Sequence, residues 1–297
     1  MRKKGKRLRD ISIKDVKSYF IEERYKIKKP ISNYNSLPEK MFTNMNPVYV
    51  VSTGRAGSEL LVKLMNASNV GSVHHEPRPR MFYGSKLAYE LGTNSIKAIQ
   101  MAYLNARYDL LKKTFLEDVR FVETNNRLSF FMESLSDLFP RAKFIHLIRH
   151  PGAFVRSGIR RNYYKSNEND DARLTPLRSD IIYDTWDKFS DIEKIGWLWN
   201  KTNEIIESAK KNIDSKRVLT LKSEDLFNNY EVYNHICEFI NHELLGDSMI
   251  KALIAKPTNR QIQNNFPKWK DWSIEDKEKL KGITPLGIKY NFWESND

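Results

Sequence analysis

Two short stretches combine arginine, glycine or proline, and a hydroxyl in ways that suit an oxyanion. The first, ValSerThrGlyArgAlaGlySerGluLeu at 51–60, lies between an apolar run and an amphipathic one. Gly54 and Gly57 let a backbone curl around a phosphate, Arg55 supplies a fixed positive charge and Ser58 a hydroxyl. The amides of such a turn, Ala56 included, and the positive end of a following helix dipole would point at the same anion. The second stretch ends an apolar run with Arg149, follows it with Pro151, which suits the first turn of a helix, and places Ser157 eight residues after Arg149. A guanidinium and a hydroxyl so spaced can converge on one anion. Arg156, Arg160 and Arg161 extend the positive field, with Arg160 and Arg161 read as a solvated outer face. The pattern G-x-x-x-x-G-K-[ST] is absent, which disfavours an ordinary ATP or GTP site. Taken alone, residues 51–60 read equally well as a tight strand-to-helix turn.

The elements that would position these groups alternate. ProValTyrValVal (47–51), ArgPheValGlu (120–123), LysPheIleHisLeuIle (143–148) and ArgValLeuThrLeu (217–221) read as strands. Residues 60–66, 96–115, 129–139 and 187–212 read as helices, and the C-terminal part as mostly helical. Strands alternating with helices predict an α/β chain with a parallel sheet covered on both faces. An α/β sheet places its ligands outside the carboxyl ends of the strands, where both arginine-bearing stretches fall. One compact domain is expected over 46–297, preceded by a basic extension over 1–45 that Pro30 and Pro38 mark as loop.

The chain has 297 residues, 40% hydrophobic and 29% charged, which excludes a disordered or disulfide-stapled miniprotein. Fifty Lys and Arg against 37 Asp and Glu give a net charge of +13, suited to acidic ligands, nucleic acid or an anionic surface. Cys237 is the sole cysteine and reads as a core residue in a reducing compartment. The basic start is followed by charged residues rather than an apolar run, and no stretch reaches the length of a membrane span, so a cytoplasmic protein is expected. Trp186, Trp197 and Trp199 sit at helical spacing and read as core, whereas Trp269 and Trp272, with Asn259 and Arg260 before them, are candidates for a flap.

Together the two loops resemble those of sulfotransferases that use 3′-phosphoadenosine 5′-phosphosulfate. GlyArgAlaGlySerGluLeuLeu resembles the family's 5′-phosphosulfate loop, and PheIleHisLeuIleArgHisProGlyAlaPheValArgSerGly its 3′-phosphate motif. Weaker echoes lie in LeuLysSerGluAspLeu (221–226) and LysTrpLysAspTrp (268–272). The resemblance implies the P-loop-like sulfotransferase fold, with Arg55, Gly57 and Ser58 on the 5′-phosphosulfate and Arg149 with Ser157 on the 3′-phosphate. It also implies release of adenosine 3′,5′-bisphosphate and no metal. Glu76, 21 residues after Arg55 in HisHisGluProArgPro (74–79), resembles the catalytic glutamate of the tyrosylprotein branch, and His75 is the second candidate base. His74 reads as an exposed or positioning residue, and Arg78 and Arg80 as groups that meet an anionic acceptor or solvent. Three positions depart from the pattern: Glu59 stands where threonine or serine is usual, Leu60 where some relatives have an aromatic residue, and Arg127 must supply a charge that many relatives draw from lysine.

The implied acceptor is a hydroxyl on a carbohydrate, lipid, small alcohol or tyrosine, with no specific nucleic acid as partner. Two other readings remain. A P-loop small-molecule kinase would need a loop lysine and a carboxylate for magnesium. A non-enzymatic binder of polyanions or nucleic acid would use the N-terminal arm, where six of residues 2–9 are Lys or Arg.

Overall fold

The apolar runs read as strands do pair, and all of their pairings are parallel. The computed structural model describes residues 37–165, 170–255 and 266–294. Strands β1 (Val48–Ser52), β2 (Ser72–His75), β3 (Phe121–Thr124), β4 (Lys143–Ile148) and β5 (Val218–Lys222) form one sheet in the order β2-β3-β1-β4-β5. Val50 of β1 lies opposite Thr124 on one side and Ile145 on the other. β1 is therefore central, and each of its five residues is buried.

Period-two alternation splits the strands between two cores. Tyr49, Val51, Phe121 and Phe144 pack on one face with α4 (Ile96–Leu116), α5 (Met132–Leu138) and the far end of α7 (Asp191–Lys210). Val48, Val50, Val122, Ile145 and Leu147 pack on the other with α2 (Ser58–Ala67), α9 (Glu231–Ile240) and α10 (Asp247–Ile254). Cys237 is buried in that second core, as a core reading requires. A third cluster joins α6 (Pro151–Ile159) to α7, α11 (Ile274–Ile283) and the C-terminal aromatics, and Trp197 and Trp199 are buried in it. The remaining helices are α1 (Leu37–Asn44), α3 (Phe82–Leu91), α8 (Ser223–Asn228) and α12 (Leu286–Lys289).

Three elements are absent from the sequence reading: β2, α1 and α3. β2 is not among the strands the sequence predicts, because SerValHisHis carries one apolar residue; it is an edge strand, partly exposed, held by its ladder to β3. The segment before Asn46 holds α1, with Pro38 in the first turn, where no amide donor is needed. Met41 and Met45, assigned by sequence to the extension, are buried in the first core. The basic arm at 2–9 and Asn259 and Arg260 lie outside the described residues. Among the described residues, no helix is long and apolar enough to cross a membrane.

Candidate active site

The turn after β1 is shaped by three successive departures into left-handed backbone. Gly54 (φ 83°) and Gly57 (φ 88°) adopt it freely, but Arg55 (φ 57°) does so at a cost of about 1–2 kcal/mol. Strain of that kind persists only where neighbours over-determine it. Here the Ser52 hydroxyl accepts from the Gly54 amide at 3.0 Å, the Ser223 hydroxyl donates to the Ala56 carbonyl at 2.7 Å, and Arg149 Nη1 donates to the Arg55 carbonyl at 2.5 Å. A Cβ on Gly57 would lie 2.8 Å from the Phe227 ring, so the close packing of α8 also demands glycine. The turn leads straight into α2, whose first residue is Ser58. Ala56 is fully buried, so it offers backbone rather than side chain.

The turn after β4 answers it. His150 caps α6, its Nδ1 accepting from the Gly152 amide at 3.1 Å, and Pro151 opens the helix. Burial, with the Arg149 charge beside it, holds the His150 pKa down at about 4, so the ring stays neutral and the cap intact. Trp199 Nε1 donates to the Arg149 carbonyl at 2.9 Å, and Glu224 Oε1 accepts from the His150 amide at 3.1 Å. Ser157 does not meet Arg149 directly: its hydroxyl accepts from Arg161 Nη1 at 2.7 Å. Arg160 and Arg161, read from sequence as solvated, both line the cleft, because α6 ends there and turns them back towards the sheet.

These arginines repel one another. Burial lowers the pKa of Arg149, Glu224 counters it, and Arg55 and Arg156 add to the lowering. Arg161 is lowered by burial and then by Arg55, with Arg149 and Arg160 contributing. A guanidinium does not give up its proton in such a place, so the cluster is a field of positive charge. Arg55 Nε is buried with no hydrogen-bond partner among the described residues, which leaves a donor for a ligand.

Across the cleft, β2 and β3 end in the other candidate groups. His75 Nδ1 and Thr124 Oγ1 are 2.7 Å apart, so Nε2 is the ring nitrogen left for a substrate. Glu76 is also left-handed (φ 42°), fixed by its amide's 3.0 Å bond to the Thr124 carbonyl. Its Oε2 lies 3.4 Å from Arg127 Nη1, and the Arg127 guanidinium stacks 3.9 Å from the Phe82 ring centroid. Arg127 thus supplies the charge that Thr124–Asn126 do not. His74, on the opposite side of β2, packs against Phe121 and bonds Ser72 rather than standing free.

Beneath these ends lies a buried pair that sequence reasoning missed. The side chains of Arg107 and Glu123 are 0% exposed, and Arg107 Nε and Nη2 meet the Glu123 carboxylate at 2.9–3.0 Å. Arg107 Nη1 also donates to the Pro79 carbonyl at 2.9 Å. Glu123 in turn accepts from Asn125 Nδ2, whose Oδ1 accepts from the Arg127 amide. The pair therefore ties down both loops that carry Glu76 and Arg127. The signal was legible: Arg107 falls between Tyr103 and Leu111 on the apolar stripe of α4.

The cleft between the two sides has a volume of about 880 Å³ and is lined by Gly54, Arg55, Gly57, Ser58, His75, Glu76, Arg127, Arg149, Arg160 and Arg161, among others. Ala56 and Ser157 are not among the lining residues; Ser157 reaches the cleft only through its bond to Arg161. Glu59 lines it from the first turn of α2 and is engaged within the protein. Phe227 gives it an aromatic face beside the first turn, and Leu60, mostly buried in the core, lines it with an aliphatic one. Trp269 and Trp272 do not line it; their rings meet edge to face with centroids 5.1 Å apart, and Trp269 closes over Gly152 at the start of α6. Among the described residues, no group of three or more His, Cys, Asp or Glu is arranged to hold a metal.

Similarity to known proteins lies in the fold rather than the sequence. No protein-family model matches the chain, and no curated protein does. Sulfotransferase STF9 from Mycobacterium avium superposes with a TM-score of 0.51 at 11% identity, over 92% of this chain and 80% of that one. The chain has the sulfotransferase fold. The sulfotransferase domain of the Synechococcus PCC 7002 olefin synthase is similar at TM-score 0.49 and 16% identity, over 85% of this chain and 97% of that one. Mouse sulfotransferase SULT7A1, solved in complex with PAP, is similar at TM-score 0.44 and 13% identity, over 86% and 88%. Within this fold, the strand ends described above are the natural seat of a ligand.

Proposed function

We propose that the protein transfers a sulfonyl group from 3′-phosphoadenosine 5′-phosphosulfate to a hydroxyl acceptor. The observation that carries the reading is the meeting of the two arginine-bearing turns, Arg149 Nη1 on the Arg55 carbonyl, at the carboxyl ends of the central strands β1 and β4. Two anion-seeking sites side by side suit a ligand with phosphoryl groups at two ends. The unpartnered Arg55 Nε supports the same fit.

In this reading Arg55 and the amides of Ala56, Gly57 and Ser58 hold the phosphosulfate end and stabilise the negative charge on the leaving phosphate. Arg149 and Arg161, the latter steadied by Ser157, hold the 3′-phosphate. Glu76 takes the proton of the acceptor hydroxyl as its oxygen bonds to sulfur and the sulfur–phosphate oxygen bond breaks. His75 Nε2 is the other base within the cleft. The strained backbone at Arg55 and Glu76 fixes both groups before substrate arrives.

Calorimetric titration with adenosine 3′,5′-bisphosphate, ATP and AMP, each with and without magnesium, tests the donor. The bisphosphate is expected to bind in the micromolar range without metal and to lose binding in Arg149→Ala. Preference for ATP with magnesium would replace this reading with a kinase. Glu76→Gln is expected to keep bisphosphate affinity while losing turnover, and full activity in that variant would transfer the role of base to His75.

A further inference from the structure

The acceptor side of the cleft has more positive charge than a neutral alcohol requires. Arg80 and Arg127 both sit over the Phe82 ring, with guanidinium carbons 5.9 Å and 3.9 Å from its centroid, and both line the cleft beside His75 and Glu76. Of the carboxylates that line the cleft among the described residues, Glu76 is the one paired with either, and its contact is to Arg127. Arg80 is exposed and makes no ion pair among the described residues. It stands close enough to Arg127 for the two charges to oppose each other. The donor's phosphates are already met, in the reading above, by Arg55, Arg149 and Arg161 from the ends of β1 and β4. Arg80 and Arg127 belong instead to the ends of β2 and β3, next to the candidate bases.

We propose that the acceptor carries an oxyanion of its own, a carboxylate, phosphate or sulfate near the reacting hydroxyl, and that Arg80 with Arg127 receives it over the face of Phe82. The inference rests on the sulfonyl-transfer reading for the word acceptor, but the anion site it describes does not depend on the donor. An incoming anion relieves the repulsion between the two guanidiniums and leaves Glu76 free of its competition for Arg127. A planar guanidinium fork favours such a group over a neutral amide or hydroxyl. Arg80 is then a specificity-determining residue rather than a catalytic one.

The test is a matched pair of phenols, 4-hydroxyphenylacetate and its neutral analogue 4-hydroxyphenylacetamide, titrated into protein saturated with adenosine 3′,5′-bisphosphate. Phenyl phosphate provides a second arm that separates phosphoryl from carboxylate preference. The anions are expected to bind about tenfold more tightly than the amide, the size of one charged hydrogen bond. Arg80→Ala is expected to bring carboxylate and amide within about twofold while leaving bisphosphate affinity unchanged, with circular dichroism confirming the fold. Equal binding of the pair by the unmodified protein overturns the proposal, as does a preference that survives in Arg80→Ala. If the bisphosphate itself fails to bind, the donor reading falls, and the same comparison without it still decides the anion site.

Discussion

Replacing Arg107 by methionine removes the cation from a pair that has no solvent to fall back on. Glu123 would keep Asn125 Nδ2 at 3.0 Å and the Tyr103 hydroxyl at 3.5 Å, two neutral donors for a carboxylate that is 0% exposed. An uncompensated buried charge of this kind costs about 3–5 kcal/mol, a large share of the roughly 5–15 kcal/mol that holds a domain together. Glu123→Leu alone is expected to cost a similar amount, because it strands the guanidinium. Replacing both at once removes both charges and leaves only the Pro79 carbonyl and the Asn125 amide short of a partner, about 1–3 kcal/mol. The double variant is therefore expected to be more stable than either single one. Urea denaturation followed through the six tryptophans measures all three. Additive losses, with the double variant the least stable, would refute the claim that the pair acts as a unit. Turnover should fall in every variant, since the pair anchors the loops of Glu76 and Arg127.

Other perturbations test the two turns. His150 is held at about 4 against an ordinary 6.5, so the unfolded chain binds the extra proton in that interval and stability rises with pH across it. The share lost on acidification from about 6.5 to 4 is on the order of 3 kcal/mol, and Asn in its place, which caps without titrating, should flatten the pH profile of denaturation there. An unchanged profile would count against the cap. Gly57→Ala forces a Cβ into left-handed backbone and to 2.8 Å from Phe227, so it should cost about 1–3 kcal/mol in denaturation and weaken bisphosphate binding. Adding Phe227→Ala should return the packing part of that loss and leave the backbone part.

Much of this was legible because the groups concerned are local. Lys143–Ile148 is a strand with the bounds its apolar run predicts, and the two arginine-bearing turns follow strands as their glycines and proline require. β2 was hidden because an edge strand with one exposed face needs few apolar residues, so SerValHisHis has no pattern to read. α1 was hidden because its burial rests on Met41, with Phe42 packed beside it, rather than on a long stripe. Arg160 and Arg161 are half-buried and line the cleft, a tertiary placement that local charge does not show. Glu123 reads as a misplaced charge until Arg107, sixteen residues earlier on a different element, is brought beside it.

The Ser223 hydroxyl on the Ala56 carbonyl joins positions 167 residues apart, and the neighbouring Glu224 braces the turn of His150. The arginine-bearing turn near residue 55 is thus finished by a helix that emerges from the ribosome long after it. A nascent chain stopped before α8 would carry the whole glycine and arginine motif and still lack its brace. If the turn holds the donor as proposed, ligand capture would be a late event in synthesis, and tight binding would report that the sheet has been completed out to its last strand.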